Sequence, residues 1–205
     1  MGDKIEIRNA HIKDLDSTVR LENSIWPEGT RATADKFKKR LEIFPKGFFL
    51  AFKDNSLIGV STSEIIEYDP KNPPRSWEEI TDNGYIEKTH NPRGNALYVV
   101  SVGAISRSRG GSELLTAQKE LVRRLNLKFL VLGARIPGYN DYCINNKEIS
   151  IEDYVKLKRK NDESLDPELR FYTRNDLILH KIVLGYMEDD KESRNYGAIM
   201  IWVPD

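Results

Sequence analysis

The stretch from Leu97 to Leu125 constrains the fold more than any other part of the chain. It reads LYVVSV, then GAIS, then RSRGGS, then ELLTAQKELVRRL. An apolar, β-branched run, a basic Gly-rich turn and a helical pattern in that order make the strand-turn-helix unit that grips phosphates. Leu97 to Val102 is apolar at nearly every position, as expected of a central strand covered on both faces. Leu114, Ala117, Leu121, Val122 and Leu125 then fall on one helical stripe, suited to packing on a sheet. Gly110 and Gly111, without a Cβ, let the backbone turn sharply and approach a ligand. Their amides, with those of Ser112 and Glu113, can point at one anion. Arg107 and Arg109 add charge-assisted contacts.

A Gly-Gly pair before a helix is also the mark of a plain tight turn, and that reading stays open. Two phosphate motifs are excluded. No Gly-Lys-Ser or Gly-Lys-Thr follows the glycines, and the G-x-G-x-x-G spacing is absent, with KFLVL standing where an acidic residue would be expected.

At 205 residues the chain fits one domain, or one domain with an insertion, and it is long enough for a substantial core. Lys plus Arg number 32 and Asp plus Glu number 32. That balance argues against non-specific nucleic-acid binding as the main task. The single cysteine, Cys143, cannot form an internal disulfide, and the N-terminus lacks a signal-peptide apolar region. No apolar run reaches the roughly 20 residues that span a bilayer, so no membrane association is expected and the cytoplasm is the expected compartment. Three scattered histidines and one cysteine give no metal-ligand spacing.

Ile5 to Arg8 reads as a first strand, followed by a helix from Ile12 to Ile25 that Pro27 stops. Thr33 caps a second helix with Phe37, Leu41 and Phe44 on its apolar face. Phe48 to Phe52 and Leu57 to Ile65 form a hairpin around Lys53-Asp54-Asn55-Ser56. Tyr68 to Asn95 is a long interruption with one helical turn at Trp77 to Ile80. Phe129 to Ala134 is a short buried strand. The second irregular region, Arg135 to Asp166, holds a helix from Ile151 to Lys160 with Ser150 as N-cap. Pro167 opens a last helix to Arg174, and Leu177 to Val183 and Ala198 to Val203 close the chain. The order β-α-α-β-β-β-α-β-α-β-β is an α/β or α+β sandwich.

With those elements placed, the chain resembles a GNAT-type acyltransferase over essentially its whole length. The hairpin FFLAFKDNSLIGV resembles the family's second and third strands, and YVVSV with RSRGGS resembles its acetyl-CoA-binding segment, Q/R-x-x-G-x-G/A. Arg107 and Gly110 match; the last position is Ser112, unless one residue has been lost and Gly111 takes the role. FYTRNDL, 171 to 177, resembles the phenylalanine-tyrosine run before the final strands. GARIPGY, 133 to 139, and ESRNYG, 192 to 197, resemble a subgroup found alone or fused to nitrilase-like amidohydrolase domains.

The resemblance implies a mixed, mostly antiparallel sheet of about seven strands flanked by helices, splayed between its fourth and fifth strands for acetyl-CoA. It implies one domain, 1–205, with insertions at about 68–95 and 135–166 that wall the acceptor pocket. Tyr85, Glu87, Tyr139, Asp141 and Tyr142 in those insertions would suit a cationic amine. Backbone around Val100, Ser101, Val102 and Gly103 would hold the pantetheine arm and polarise the thioester carbonyl. Arg107, Ser108, Arg109, Gly110, Gly111 and Ser112 would hold the pyrophosphate.

An alkyl amine costs roughly 4.6 kcal/mol to neutralise at pH 7, so a general base helps, and so does an acid for the thiolate. Tyr172 is the candidate acid, against the reading of a core tyrosine with a satisfied hydroxyl. Glu64, Ser101 and Tyr98 are base or relay candidates, set against the favoured reading of each as a structural or solvent-facing residue. His180 reads as an ordinary strand histidine.

The expected activity is acetyl-CoA-dependent transfer to a primary amine of a small molecule or peptide, without a metal. The alternatives are O- or S-acyl transfer, acyl-CoA decarboxylation, or a non-catalytic CoA-binding sensor or interaction module. A homodimer is compatible with all of these.

Overall fold

The computed structural model describes residues 4–204. Seven strands are formed: β1 (Ile5–Asn9), β2 (Phe49–Lys53), β3 (Ser56–Ile66), β4 (Ala96–Ala104), β5 (Phe129–Ala134), β6 (Ile178–Leu184) and β7 (Tyr196–Trp202). The helices are α1 (Leu15–Ile25), α2 (Ala34–Ile43), α3 (Trp77–Thr81), α4 (Gly110–Arg124), α5 (Gly138–Asn145), α6 (Ile151–Tyr154) and α7 (Pro167–Arg174), with single 3-10 turns at Ile12–Asp14 and Pro45–Gly47. The strands form one sheet in the order β1-β2-β3-β4-β5-β7-β6. The pairings of β1 with β2, β2 with β3, β3 with β4 and β6 with β7 are antiparallel. This is the mixed, mostly antiparallel, helix-flanked sheet that the family resemblance implied, with the apolar run 97–102 at its centre.

The chain forms two compact units. One comprises residues 4–68, 81–130 and Pro204; the other comprises Asp69–Ile80 and Val131–Val203.

In the first unit, β3 sorts its side chains by alternation. Ser61 and Ser63 meet Gln118 of α4, with Ser63 Oγ donating at 2.9 Å and the Gln118 amide donating to Ser61 Oγ at 3.0 Å. Thr62 points the opposite way, to Arg40 of α2. Thus α4 covers one face of the sheet and α1 with α2 the other. Leu114, Leu115, Leu121 and Val122 of α4 are buried, and Leu21, Phe37, Phe48, Leu50 and Val60 form a cluster on the opposite face. Thr33 caps α2 as expected, its Oγ1 accepting from Lys36 N at 3.3 Å.

In the second unit, the expected helix from Ile151 to Lys160 stops at Tyr154. Its N-cap is correct: Ser150 Oγ accepts from Asp153 N at 3.1 Å. Beyond it, KLKRKND offers no apolar stripe, and the chain turns back on itself. Arg159 N donates to the Glu163 carbonyl at 2.8 Å and Leu165 N to that of Leu157 at 2.9 Å, around Asp162 at φ 64.

The sequence also gave no hint of α5. Gly138 and Asn140 are poor helix formers, and it is burial of Tyr139 and Cys143 that fixes the helix. Asp166 caps α7, its Oδ1 accepting from Glu168 N and Leu169 N, with Pro167 at the first helical position.

Candidate active site

The turn between β4 and α4 has the expected components and an unexpected backbone. Gly110 and Gly111 do not make the sharp turn, since they are the first two residues of α4. The left-handed positions are Arg107, at φ 62, and Arg109, at φ 63. Such a conformation costs roughly 1–2 kcal/mol in a residue with a Cβ. Left-handed residues within a turn are a backbone ingredient of anion-binding nests.

Gly110 instead eases a close contact. A Cβ there would lie 3.2 Å from Ile58 Cδ1 and from Ser108 Oγ, so the glycine lets α4 start against the sheet. The amides of Ser112 and Glu113 donate to the Arg109 carbonyl at 3.1 and 3.3 Å, and that of Gly110 to Ser108 Oγ at 3.2 Å. These three amides are thus engaged within the turn itself. Both arginine side chains are exposed, with Arg109 beside Glu113 at 3.4 Å.

Upstream of the turn, β4 carries a bulge. Thr62 pairs with Ser101 and Ser63 with Val99, which makes Val100 the extra residue. A bulge re-aims the backbone locally, here within the Val100–Gly103 stretch assigned to the acyl donor. Gly103 admits a close neighbour, since a Cβ would lie 2.8 Å from Trp26 Nε1.

Ser101 is not an isolated hydroxyl. It lies 2.9 Å from Thr62 Oγ1 and accepts from Arg40 Nη1 at 3.2 Å. Arg40 is only 1% exposed; it also donates from Nη1 to Thr62 Oγ1 at 3.1 Å and from Nε to the Gly84 carbonyl at 2.7 Å. Glu64, fully buried, pairs across the ladder with Tyr98, itself buried. Its Oε2 accepts from Thr89 Oγ1 at 2.7 Å, while Oε1 is buried without a hydrogen bond.

Burial raises the Glu64 carboxyl to about 8, although Thr89 and the Arg40 charge oppose the rise. Burial also pulls Arg40 down to about 10, opposed by Glu22 and Glu64. Arg40 thus remains a cation at neutral pH, and Glu64 is the group there that exchanges a proton near neutrality.

Arg40 went unnoticed in the sequence because KFKKRLE reads as a solvated basic face. Its position, three residues after Phe37 and four before Phe44, was the available signal.

Tyr172 lies on α7 in the second unit, 8% exposed, with the Phe171 ring at 5.1 Å. One helical turn before it stands Glu168, which sequence reasoning missed. Burial raises its carboxyl to about 7, although Arg135 lies 4.0 Å away. His180 Nε2 meets the Pro70 carbonyl at 2.8 Å, a structural contact.

Three of the five aromatic and acidic residues expected to suit an amine, Tyr85, Glu87 and Tyr139, already have internal cations. Lys36 lies 5.7 Å from the Tyr85 ring, Lys39 pairs with Glu87 at 3.1 Å, and Arg194 lies 5.2 Å from the Tyr139 ring. The runs 133–139 and 192–197 prove to be partners. Arg135 forks onto Asp190 at 2.7 and 2.9 Å and reaches Glu192 at 2.6 Å, and Ile136 N donates to Ser193 Oγ at 2.8 Å. Among the described residues, no group of three or more His, Cys, Asp and Glu side chains is placed to hold a metal ion, and no helix is long and apolar enough to cross a membrane.

No family model matches the chain. It is 34% identical over 202 residues to the probable hydrolase YhcX of Bacillus subtilis (strain 168), across 97% of this chain and 38% of that protein. The chain therefore spans well under half the length of that relative. It is 32% identical over 205 residues to the uncharacterized N-acetyltransferase YkwB of the same organism, across 97% of this chain and 88% of YkwB.

Among solved structures, the loading GNATL domain of CurA from Lyngbya majuscula matches with a TM-score of 0.84 at 18% identity, over 98% of each chain. The GphF GNAT-like decarboxylase, in complex with isobutyryl-CoA, matches with a TM-score of 0.78 at 23% identity, over 97% of this chain and 98% of that one. Nearly full-length likeness to YkwB, on the fold of these two domains, makes the chain a member of the GNAT superfamily of acyltransferases.

Proposed function

We propose that the chain is an acetyl-CoA-dependent N-acetyltransferase, moving the acetyl group to a primary amine of a small molecule or peptide by direct transfer. The observation that carries this reading is the β4–α4 turn, where two left-handed arginines and the start of a 15-residue helix follow a bulged central strand. The likeness to YkwB, an uncharacterized N-acetyltransferase, supports the same activity.

In this mechanism the pyrophosphate is held by the amides of Arg107, Arg109 and Gly111, with the two guanidinium groups adding charge. The backbone of Val100 to Gly103 holds the pantetheine arm and polarises the thioester carbonyl. The amine nitrogen attacks the carbonyl carbon, a C–N bond forms and the C–S bond breaks. The amine proton passes to the ionised Glu64 carboxylate through Thr89, whose hydroxyl links the buried acid to a part-exposed position. Tyr172 gives its proton to the departing thiolate and is reprotonated from solvent. Ser101 and Thr62, held by Arg40, keep that region of the sheet fixed.

Acyl-CoA decarboxylation is the reading to test against, because GphF bears the same fold. Thiol release would be followed with acetyl-, isobutyryl- and malonyl-CoA over a panel of small and peptide amines. Release that requires both acetyl-CoA and an amine, with the acetylated amine as product, is the expected result. Carbon dioxide release from malonyl-CoA without an amine would replace transfer by decarboxylation, and CoA binding without turnover would leave a sensor.

A further inference from the structure

Strand β6 is at the end of the sheet order, so only one of its edges is paired. Its sequence, ILHKIVL, is largely apolar, yet Ile178 is 61% and Leu184 66% exposed. Natural sheets rarely leave such an edge bare, because it templates pairing with other chains. Within the strand, the devices against it are Lys181 and the irregularity between Leu179 and Lys181.

The segment 69–80 runs alongside as a strap fixed at both ends. His180 Nε2 meets the Pro70 carbonyl at 2.8 Å, and Trp77 N donates to the Tyr186 carbonyl at 2.8 Å. Between those ties lies a groove of about 670 Å³, with Lys181 to Leu184 along one side and Lys71 to Arg75, Glu79 and Ile80 along the other. Among the described residues, Lys181 to Leu184 make backbone hydrogen bonds only in the ladder with β7.

The charge of the groove selects its occupant. Lys71, Arg75 and Lys181 line it against Glu79 alone, and among the described residues none of the three cations forms an ion pair or a side-chain hydrogen bond. Asp69, next to Lys71, is already engaged by the Lys71 amide and by Asn72. A second copy docking edge to edge about a two-fold axis would bring the same cations together, and like charges across strands are destabilising.

We propose that this edge and its strap form a docking groove for an extended acidic peptide segment, which adds a strand to β6. Main-chain hydrogen bonds to Lys181–Leu184 would supply register, and acidic side chains on alternate positions would meet Lys71, Arg75 and Lys181. This proposal is independent of the acyl-transfer reading, whose residues it does not use.

The test uses the whole chain and a fluorescein-labelled, end-blocked nonapeptide of alternating Glu and Val, with an alternating Lys and Val peptide as control. Anisotropy should show binding of the acidic probe that weakens with added salt and at least tenfold in the Arg75→Glu, Lys181→Glu double variant. Hydrogen exchange should show amides within 181–184 becoming protected when the probe binds. Equal binding of the basic control, unchanged exchange in β6, or full affinity in the double variant would overturn the proposal. So would sedimentation revealing a dimer that Lys181→Glu abolishes, since the occupant would then be a second copy.

Discussion

At the scale of single residues, Glu64 is the group whose behaviour is most open to measurement. Its carboxyl is raised to about 8 by burial, from 4.5. Below the lower value both folded and unfolded chains hold the proton, and the burial has no pH-dependent cost. As pH rises from 4.5 to 8 only the unfolded chain ionises, so stability falls, and the loss is complete above 8. Glu64→Gln keeps an oxygen for Thr89 and removes this slope. Urea unfolding at pH 5 and pH 9 should show the parent losing on the order of a few kcal/mol more than the variant. If Glu64 is also the base, the variant loses the alkaline rise of kcat centred near 8; a retained rise would move the base elsewhere.

Tyr172→Phe should lower kcat by about 10²- to 10⁴-fold while sparing acetyl-CoA binding. A change within about threefold at saturating substrates would leave the hydroxyl a structural group. The sequence made Glu64, Ser101 and Tyr172 legible as positions, but it could not show that Ser101 is tied to Arg40, because that bond joins α2 to β4 across a sequence distance no local pattern reports.

Among the elements, those with a strong period were legible to within a residue or two, namely β4, the 49–66 hairpin and the closing strands, while α4 was legible at its end but begins three residues before the expected start. Misreadings arose where propensity and tertiary packing disagree. The chain 155–160 is charged and helix-permissive yet folds back, whereas 138–145 begins with Gly and Asn-rich sequence yet forms α5 because Tyr139 and Cys143 are buried. The turn into α4 was read as 107–112, whereas Gly110 and Gly111 are already helical and the left-handed positions are Arg107 and Arg109.

This changes the experiment of choice. Gly110→Val would press a branched side chain against Ile58 and Ser108, so lost binding there would be mixed with lost stability. Arg107→Gly is cleaner. It relieves a left-handed residue of its Cβ, leaving Tm unchanged or raised, the gain held to about 1 kcal/mol by the freer unfolded chain. Acyl-CoA binding should weaken about tenfold as a charged hydrogen bond is lost. Calorimetric titration showing parental affinity in this variant would remove Arg107 from the phosphate site.

For the molecule as a whole, the interruption 68–95 is two things. Asp69–Ile80 belongs to the second unit and 81–95 to the first, where Gly84 receives Arg40 and Thr89 holds Glu64. Replacing 71–75 with a short Gly-Ser link should leave the fold intact, with Tm within a few degrees. Deleting 84–89 should prevent folding, because it leaves a buried guanidinium and a buried acid without their partners. Circular dichroism and thermal melts of the two variants would distinguish these outcomes, and equal tolerance would refute the division.

The strap also has a consequence in time. The Pro70 contact is made with a residue 110 positions further along the chain. At roughly 5–20 residues per second on the ribosome, the strap waits on the order of 5–20 seconds before strand β6 exists, while the partners of 81–130 are already made. Such distant pairing is intrinsically slow. Nascent chains arrested once residue 130 has emerged from the ribosome, but before strand β6 has, should therefore be cut within 69–80 by a protease that spares the first unit, and full-length chains should not.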